Sequence, residues 1–200
     1  MRPPNRSTRK PSVRTKRRLL EAAAEIFAEH GYDGAKIRDI SAQADANVAA
    51  INYHFEDKAQ FFLAVVQYAR TAAESATTSA GPAAERLQQF VQTRLRSLND
   101  RRGWYERLLS RELLTPSSAH AVIQSEIEDL QAELRSIVRE LIGALASQSE
   151  VEFTANSVLG LCAFYQHGGL GDQSPDLVTR VAEFARASIT TRRQRLEAEA

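Results

Sequence analysis

The side chains best suited to chemistry are few and scattered. Four histidines stand at positions 30, 54, 120 and 167, and none has metal-ligand spacing with another or with the single Cys162. The run Gly168-Gly169-Leu170-Gly171 is glycine-rich, but it follows a helical pattern rather than a strand and lacks the Lys-Ser/Thr of a phosphate loop. No nucleophile sits in a recognisable elbow, and no carboxylate pair stands apart from ordinary helix surface. The expectation is therefore a protein that is not an enzyme, with no metal and no cofactor. What remains is one dense polar stretch, NVAAINYHFEDK, from Asn47 to Lys58. Asn47, Asn52, Tyr53, His54 and Lys58 supply amides, a phenol, an imidazole and a cation, groups that bind phosphate oxygens and base edges.

The elements that would position them are short helices. Ile37, Ile40 and Ala44 fall at i, i+3 and i+7, one apolar stripe on a helix of about two turns. Asp45-Ala46-Asn47 breaks the pattern, and Asn47 is a good N-cap for a helix that starts at Val48. Ile51 and Phe55 continue the apolar spacing as core, and Val48, Ala49 and Ala50 form a small-residue helix start. Small apolar groups permit close approach to a major groove and contact thymine methyls, whereas Asn52 could read adenine or bind phosphate. Two short helices joined by about three residues form the outline of a helix-turn-helix. Upstream, the first eighteen residues hold eight Lys/Arg and no Asp/Glu. Such an arm can neutralise phosphates and release counterions. It can equally be a solvated disordered tail, given Pro3, Pro4, Ser7, Thr8 and Pro11. Double-stranded DNA is the leading candidate partner.

Composition sets bounds on the rest. Two hundred residues, 43% hydrophobic and 26% charged, suit a small head with a larger body. The net charge of +1 hides an asymmetry: residues 1–58 carry +3 and the remainder −2. No apolar run approaches the ~18 residues of a membrane span, and no apolar signal segment follows the basic start. One cysteine forms no internal disulfide, so a cytoplasmic protein is the default expectation.

The stretch RRLLEAAAEIFAEHGYDGAKIRDIS, together with INYHFEDKAQFFLAVV, resembles the DNA-binding head of the TetR family of transcriptional regulators over roughly residues 14–73. The resemblance implies that Asn47, Tyr53 and His54 meet DNA phosphates, that Lys58 adds a cation, and that Lys36 contacts phosphate from the start of the second helix. A hydrogen-bonded structural histidine is the other reading of His54. Two departures stand out: Lys36 replaces the usual Thr, and Asp45 replaces the usual Gly of the turn, where Asp tolerates a left-handed conformation at modest cost. The stretch SRELLTPSSA and the AAINYHF form of the recognition helix resemble the subgroup that includes the regulator CecR.

Beyond Asp57, which looks like the cap of a fourth helix, helical spacing recurs to the C-terminus and no strand pattern emerges. The expected fold is all-α, with about nine helices. A basic disordered arm spans 1–13. The helix-turn-helix domain spans 14–73, with its motif at about 36–55. An effector-binding and dimerisation domain spans 74–200, after the boundary Thr77-Thr78-Ser79-Ala80-Gly81-Pro82. The resemblance implies a homodimer joined through the last two helices, for which Phe153, Val158, Leu161, Cys162, Tyr165, Leu177, Val181, Phe184 and Ile189 could supply apolar surface or else pack within one chain. It also implies a pocket for a small-molecule effector, with Phe90, Arg94, Trp104, Tyr105, Leu108, Arg111, Glu112, Phe164 and His167 as candidate lining. Arg111 and Glu112 could equally pair or face solvent. The implied function is a repressor that binds an inverted repeat and is released by its effector, with coupling through the fourth helix. A helical protein-interaction adaptor is the alternative, though it leaves the basic arm and polar stretch together unexplained.

Overall fold

The structure, a computed structural model, describes residues 13–74, 81–96, 103–167, 174 and 176–200. Most of the basic arm, most of the 77–82 boundary and the glycine run after His167 lie outside the described residues. Among those described, nine α-helices form the chain: α1 (Val13–Gly34), α2 (Ile37–Gln43), α3 (Val48–Phe55), α4 (Lys58–Glu74), α5 (Ala83–Arg96), α6 (Trp104–Leu114), α7 (Gln124–Ile142), α8 (Gln148–Gln166) and α9 (Leu177–Glu199). No strand occurs among them, and no helix is long and apolar enough to cross a membrane.

Helices α1 to α4 pack on one another as the head, and α5 to α9 pack as the body. The head's centre is aromatic. Phe27 of α1 is fully buried and meets Tyr32, Phe61 and Phe62 at ring separations of 6.1, 6.1 and 5.0 Å. Phe55 stacks on Phe61 at 4.4 Å, which draws the end of α3 into the same cluster. Burying each ring contributes about 1.5–3 kcal/mol.

Local chemistry sets the helix ends. Helix α1 breaks at Gly31, whose φ of 70° suits glycine, and an Arg111 side chain packs where any Cβ there would stand. Asn47 accepts a hydrogen bond from the Ala49 N–H at 2.9 Å, the expected cap of α3, and Asp57 accepts one from Gln60 N–H at 2.8 Å to start α4. Asp45 does take a positive φ, 44°. Arg18 steadies it by donating to the Asp45 carbonyl and carboxylate, both at 2.9 Å, and to the Ala44 carbonyl. One of the eight early cations is thus engaged in holding the turn, and α1 already includes Arg14, Lys16, Arg17 and Arg18.

A 3-10 turn at His120–Ile123 precedes α7, which stops at Gly143 and leaves Leu145 outside it and exposed. Helix α8 starts at Gln148. Ser147 accepts from Glu150 N–H at 3.2 Å, and the Glu150 carboxylate accepts from Ser147 N–H at 3.0 Å, a full capping box. The last helix is capped by Asp176 without a side-chain hydrogen bond.

Glu56 closes α3 with φ 62° and ψ −66°, and Asp57 N–H donates to the Phe55 carbonyl at 2.6 Å. This is a γ-turn of the strained hand, rare for a residue with a Cβ. Glu56→Gly relieves the strain at some cost in chain entropy, and a net gain of about 1 kcal/mol is expected in urea unfolding.

Candidate nucleic-acid interface and body cavity

Helix α3 lies on the head surface with one face bare. Asn47, Val48, Ala49, Asn52 and Tyr53 are exposed, as is Lys36 at the start of α2. His54 and Lys58 are half-buried. Ala50 departs from the expectation: at 7% exposed it packs inward beside Ile51 and Phe55, so the outward face of α3 is narrower than the sequence suggested. Helical period alone would group residue 48, not 50, with 51 and 55, so the burial of Ala50 comes from the helices packed around α3 rather than from its own pattern.

Two lysines flank the bare face where it meets α1 and α4. The Lys58 Nζ lies 4.5 Å from the centre of the Tyr32 ring, and Lys16 Nζ lies 5.6 Å from that of Phe55. Burial lowers the Lys58 pKa, an effect opposed by the nearby Asp33 carboxylate. Burial, then the Lys16 charge, lowers that of His54 below the ordinary histidine value, and its Nε2 is buried without a partner. An exposed phenol, two amides, an imidazole and two cations on one rigid surface can hold a phosphate backbone and reach base edges.

The body interior sorts the nine effector-pocket candidates differently. A small cavity of about 10 Å³, room for one water, is lined by Arg94 of α5, Glu106, Leu109, Ser110 and Leu113 of α6, Leu130 of α7, and Leu159, Cys162, Ala163 and Gln166 of α8. Arg94 alone of the nine lines it. Its guanidinium lies 3.7 Å from Glu106, 3.9 Å from Glu133 and 4.8 Å from the Phe90 ring. Tyr105 is buried and donates to Glu126 at 3.3 Å; burial and the Glu126 charge push its pKa far up. Glu126 also receives Arg70 of α4 at 2.8 Å, so the polar core of the body reaches the helix that leads to the head. Phe90 and Leu108 are core, and Trp104 is half-buried with its indole N–H buried and unpartnered.

The remaining four candidates point elsewhere. Phe164 is 45% exposed on the outer side of α8. Arg111 crosses to the head and donates to the Glu29 carbonyl at 2.8 Å. Glu112 is buried, as half expected, but it faces the chain after α6: it accepts from Ser117 N–H at 3.0 Å and lies 3.5 Å from the His120 ring. His167 stands at the end of α8 with Nε2 3.0 Å from Ser110 Oγ. Sequence reading missed Glu106, Ser110 and Gln166; the signal available was their recurrence on the Arg94-facing sides of α6 and α8 among leucines.

Of the proposed pairing residues, Val158, Cys162, Leu177, Val181 and Ile189 are at most 5% exposed, buried within this one chain. Burial also pushes the Cys162 thiol up to about 12. Phe153 and Phe184 are 75% and 64% exposed, and with Leu161 they border an apolar groove between α8 and α9 whose floor includes Val158 and Ile189. Tyr165 is half-buried and packs edge-on against Phe164.

A helix-turn-helix head on an all-helical body defines a class of DNA-binding regulators. Residues 19–65 match the model of bacterial regulatory proteins, tetR family, and residues 83–169 match that of the C-terminal domain of the HTH-type transcriptional dual regulator CecR. The chain belongs to the TetR family and is a DNA-binding transcriptional regulator. It is 27% identical over 162 residues to the dual regulator CecR of Shigella flexneri, 72% of each chain. To the transcriptional repressor AcnR of Corynebacterium efficiens it is 40% identical over 55 residues, 28% of this chain and 29% of that one. A TetR-like regulator from Rhodococcus sp. RHA1 has a similar fold, with a TM-score of 0.66 at 17% identity over 92% of this chain and 97% of the other. So does AibR, solved with isovaleryl coenzyme A and operator DNA, with a TM-score of 0.63 at 19% identity over 87% and 97%.

Two outcomes follow for the α3 face. Lys58→Ala should reduce the dependence of log affinity on log salt by about 1 per protomer, whereas Tyr53→Ala should lower affinity about tenfold at an unchanged slope, since a phenol carries no charge. Neither should alter urea stability by more than about 1 kcal/mol. His54, neutral in the free protein near pH 7, would be protonated beside a phosphate. Affinity should therefore rise as pH falls from 7.5 towards 5.5, with a smaller rise in His54→Gln, as measured by fluorescence anisotropy.

Proposed function

We propose that this regulator is a homodimeric repressor that binds an inverted-repeat operator and leaves it when a small molecule enters the body. The observation that carries the reading is the bare face of α3, formed by Val48, Ala49, Asn52 and Tyr53 and flanked by Lys36, Asn47, His54 and Lys58. Nothing in the head's own packing requires that face, and its groups suit a major groove and its phosphates. A protein with this role works where the DNA is, in the cytoplasm. On this reading residues 14–73 form the DNA-binding domain and the helices after residue 74 the regulatory one.

Dimerisation is supported by the groove between α8 and α9. Two exposed phenylalanines with a floor of Val158 and Ile189 form an apolar strip that a second copy would cover, with Phe153, Leu161 and Phe184 at the contact. Two recognition helices joined this way could reach successive major grooves, ~34–36 Å apart.

Effector release is supported by the polar cavity beside Arg94. Charged groups in an apolar core are costly, and Arg94 and Glu106 are buried together beside this cavity. The cavity is too small for an effector as it stands, so binding would require a rearrangement of α5, α6 or α8. An effector that favours the rearranged body would shift the dimer away from the operator-binding state. The AibR structure, with both a coenzyme A ester and operator DNA bound to that protein, supports the pairing of the two sites in this fold.

Selection of duplex fragments by the purified protein at physiological salt tests the reading. Recovery of a short inverted repeat is expected; recovery of no preferred sequence would overturn it in favour of an adaptor role. Phe153→Asp with Phe184→Asp should give a monomer in sedimentation velocity and lower operator affinity by more than about a hundredfold, because the linked second half-site is lost.

A further inference from the structure

Head and body meet at a second place besides α4. The end of α6 and the residues after it lie on the last turns of α1. Arg111 donates to the Glu29 carbonyl, and its Cδ lies 3.2 Å from where a Cβ on Gly31 would stand. Ser118 donates twice to the Asp33 carboxylate, from Oγ at 2.5 Å and from the backbone N–H at 3.2 Å. The loop that carries Ser118 is itself anchored by the buried Glu112 through Ser117 N–H.

On the head side, Asp33 follows Tyr32, whose ring carries the Lys58 ammonium at 4.5 Å. The Asp33 and Lys58 charges act on each other, while the two hydrogen bonds from Ser118 are the larger influences on that carboxylate. Asp33 is thus held by a donor of the body and adjoins the residue whose ring carries Lys58. The opposite side of α6 lines the polar cavity with Glu106, Leu109 and Ser110, and Ser110 and Arg111 are consecutive. Whatever widens the cavity by moving α6 moves the contacts on α1 with it.

We propose that Ser118 is a positioning residue for DNA binding: by holding the Asp33 carboxylate to the body it leaves Lys58 available to a backbone phosphate, and its withdrawal turns Asp33 onto Lys58. This deepens the effector-release reading and rests on it. Release then needs no large swing of the head, since an acceptor freed next to Lys58 competes with DNA for the same cation. It also gives the body a route to the head through α6 and α1, beside the one through Arg70 and α4.

The test measures affinity of the full-length protein for a duplex recovered by selection, across a salt series. The variants are Ser118→Ala, Asp33→Asn, the two together, and Lys58→Ala. Ser118→Ala should weaken binding and flatten the salt dependence by up to about 1 per protomer, towards the value for Lys58→Ala. Asp33→Asn keeps an acceptor for Ser118 but has no charge for Lys58, so it should bind with the wild-type slope, and the double variant should regain that slope. A merely structural role would lower the folded fraction and leave the slope of the folded protein unmoved. A wild-type slope in Ser118→Ala, or a flattened slope that persists in the double variant, would overturn the proposal. Absent specific binding by the wild type, or a Lys58→Ala slope equal to the wild type, removes instead the DNA reading on which it stands.

Discussion

An eight-residue helix does not hold itself together in water, because the cost of its first turn is not recovered over so few further bonds. Everything α3 does depends on being pinned from below. Ile51 and Phe55 provide the pins, and Phe55 stacked on Phe61 joins α3 to the aromatic cluster around Phe27. With that contact made, the outward groups are presented on a fixed surface. The turn before α3 and the one after it both take conformations that residues with a Cβ avoid, at Asp45 and Glu56. The first is steadied by Arg18; the second is tolerated because α3 and α4 are both anchored in the same cluster.

The body has different demands, because its core includes charge. Arg94, Glu106 and Glu126 are buried in or beside it, tied to Tyr105, Glu133 and Arg70 by contacts of 2.8 to 3.9 Å. Such groups do not pack as tightly as leucine, and the small cavity at Arg94 is where the packing is incomplete. The same helix, α6, borders this weak point and touches the head. The cavity and the head are thereby bordered by one helix of eleven residues. The outer side of α8 and α9 shows the opposite character, apolar and open.

Much of the head was legible from residue types because its rules are local. Asn47 as a cap, Asp57 as the next and the 37–40–44 stripe each depend on neighbours within a turn or two, and each is present. The capping box at Ser147 and Glu150 follows the same local rule, but the sequence reading did not pick it out. Arg111 and Glu112 were not legible in this way: two adjacent charges among leucines have the same pattern whether they face solvent, a ligand or another helix. Only packing against α1 sends Arg111 to Glu29, and only the course of the chain after Thr115 turns Glu112 towards Ser117 and His120.

The sequence by itself determined an all-helical chain, the place of its helix-turn-helix and the chemical character of the α3 face, since helical periodicity and capping are encoded within a few residues. Tertiary structure decided which apolar residues of α8 and α9 belong to the protomer and which remain open, and which buried charges surround a cavity. It also decided that Ser118 meets Asp33 across 85 residues of chain. These are contacts between elements distant in sequence, and no local pattern records which side of a helix its eventual neighbour will occupy.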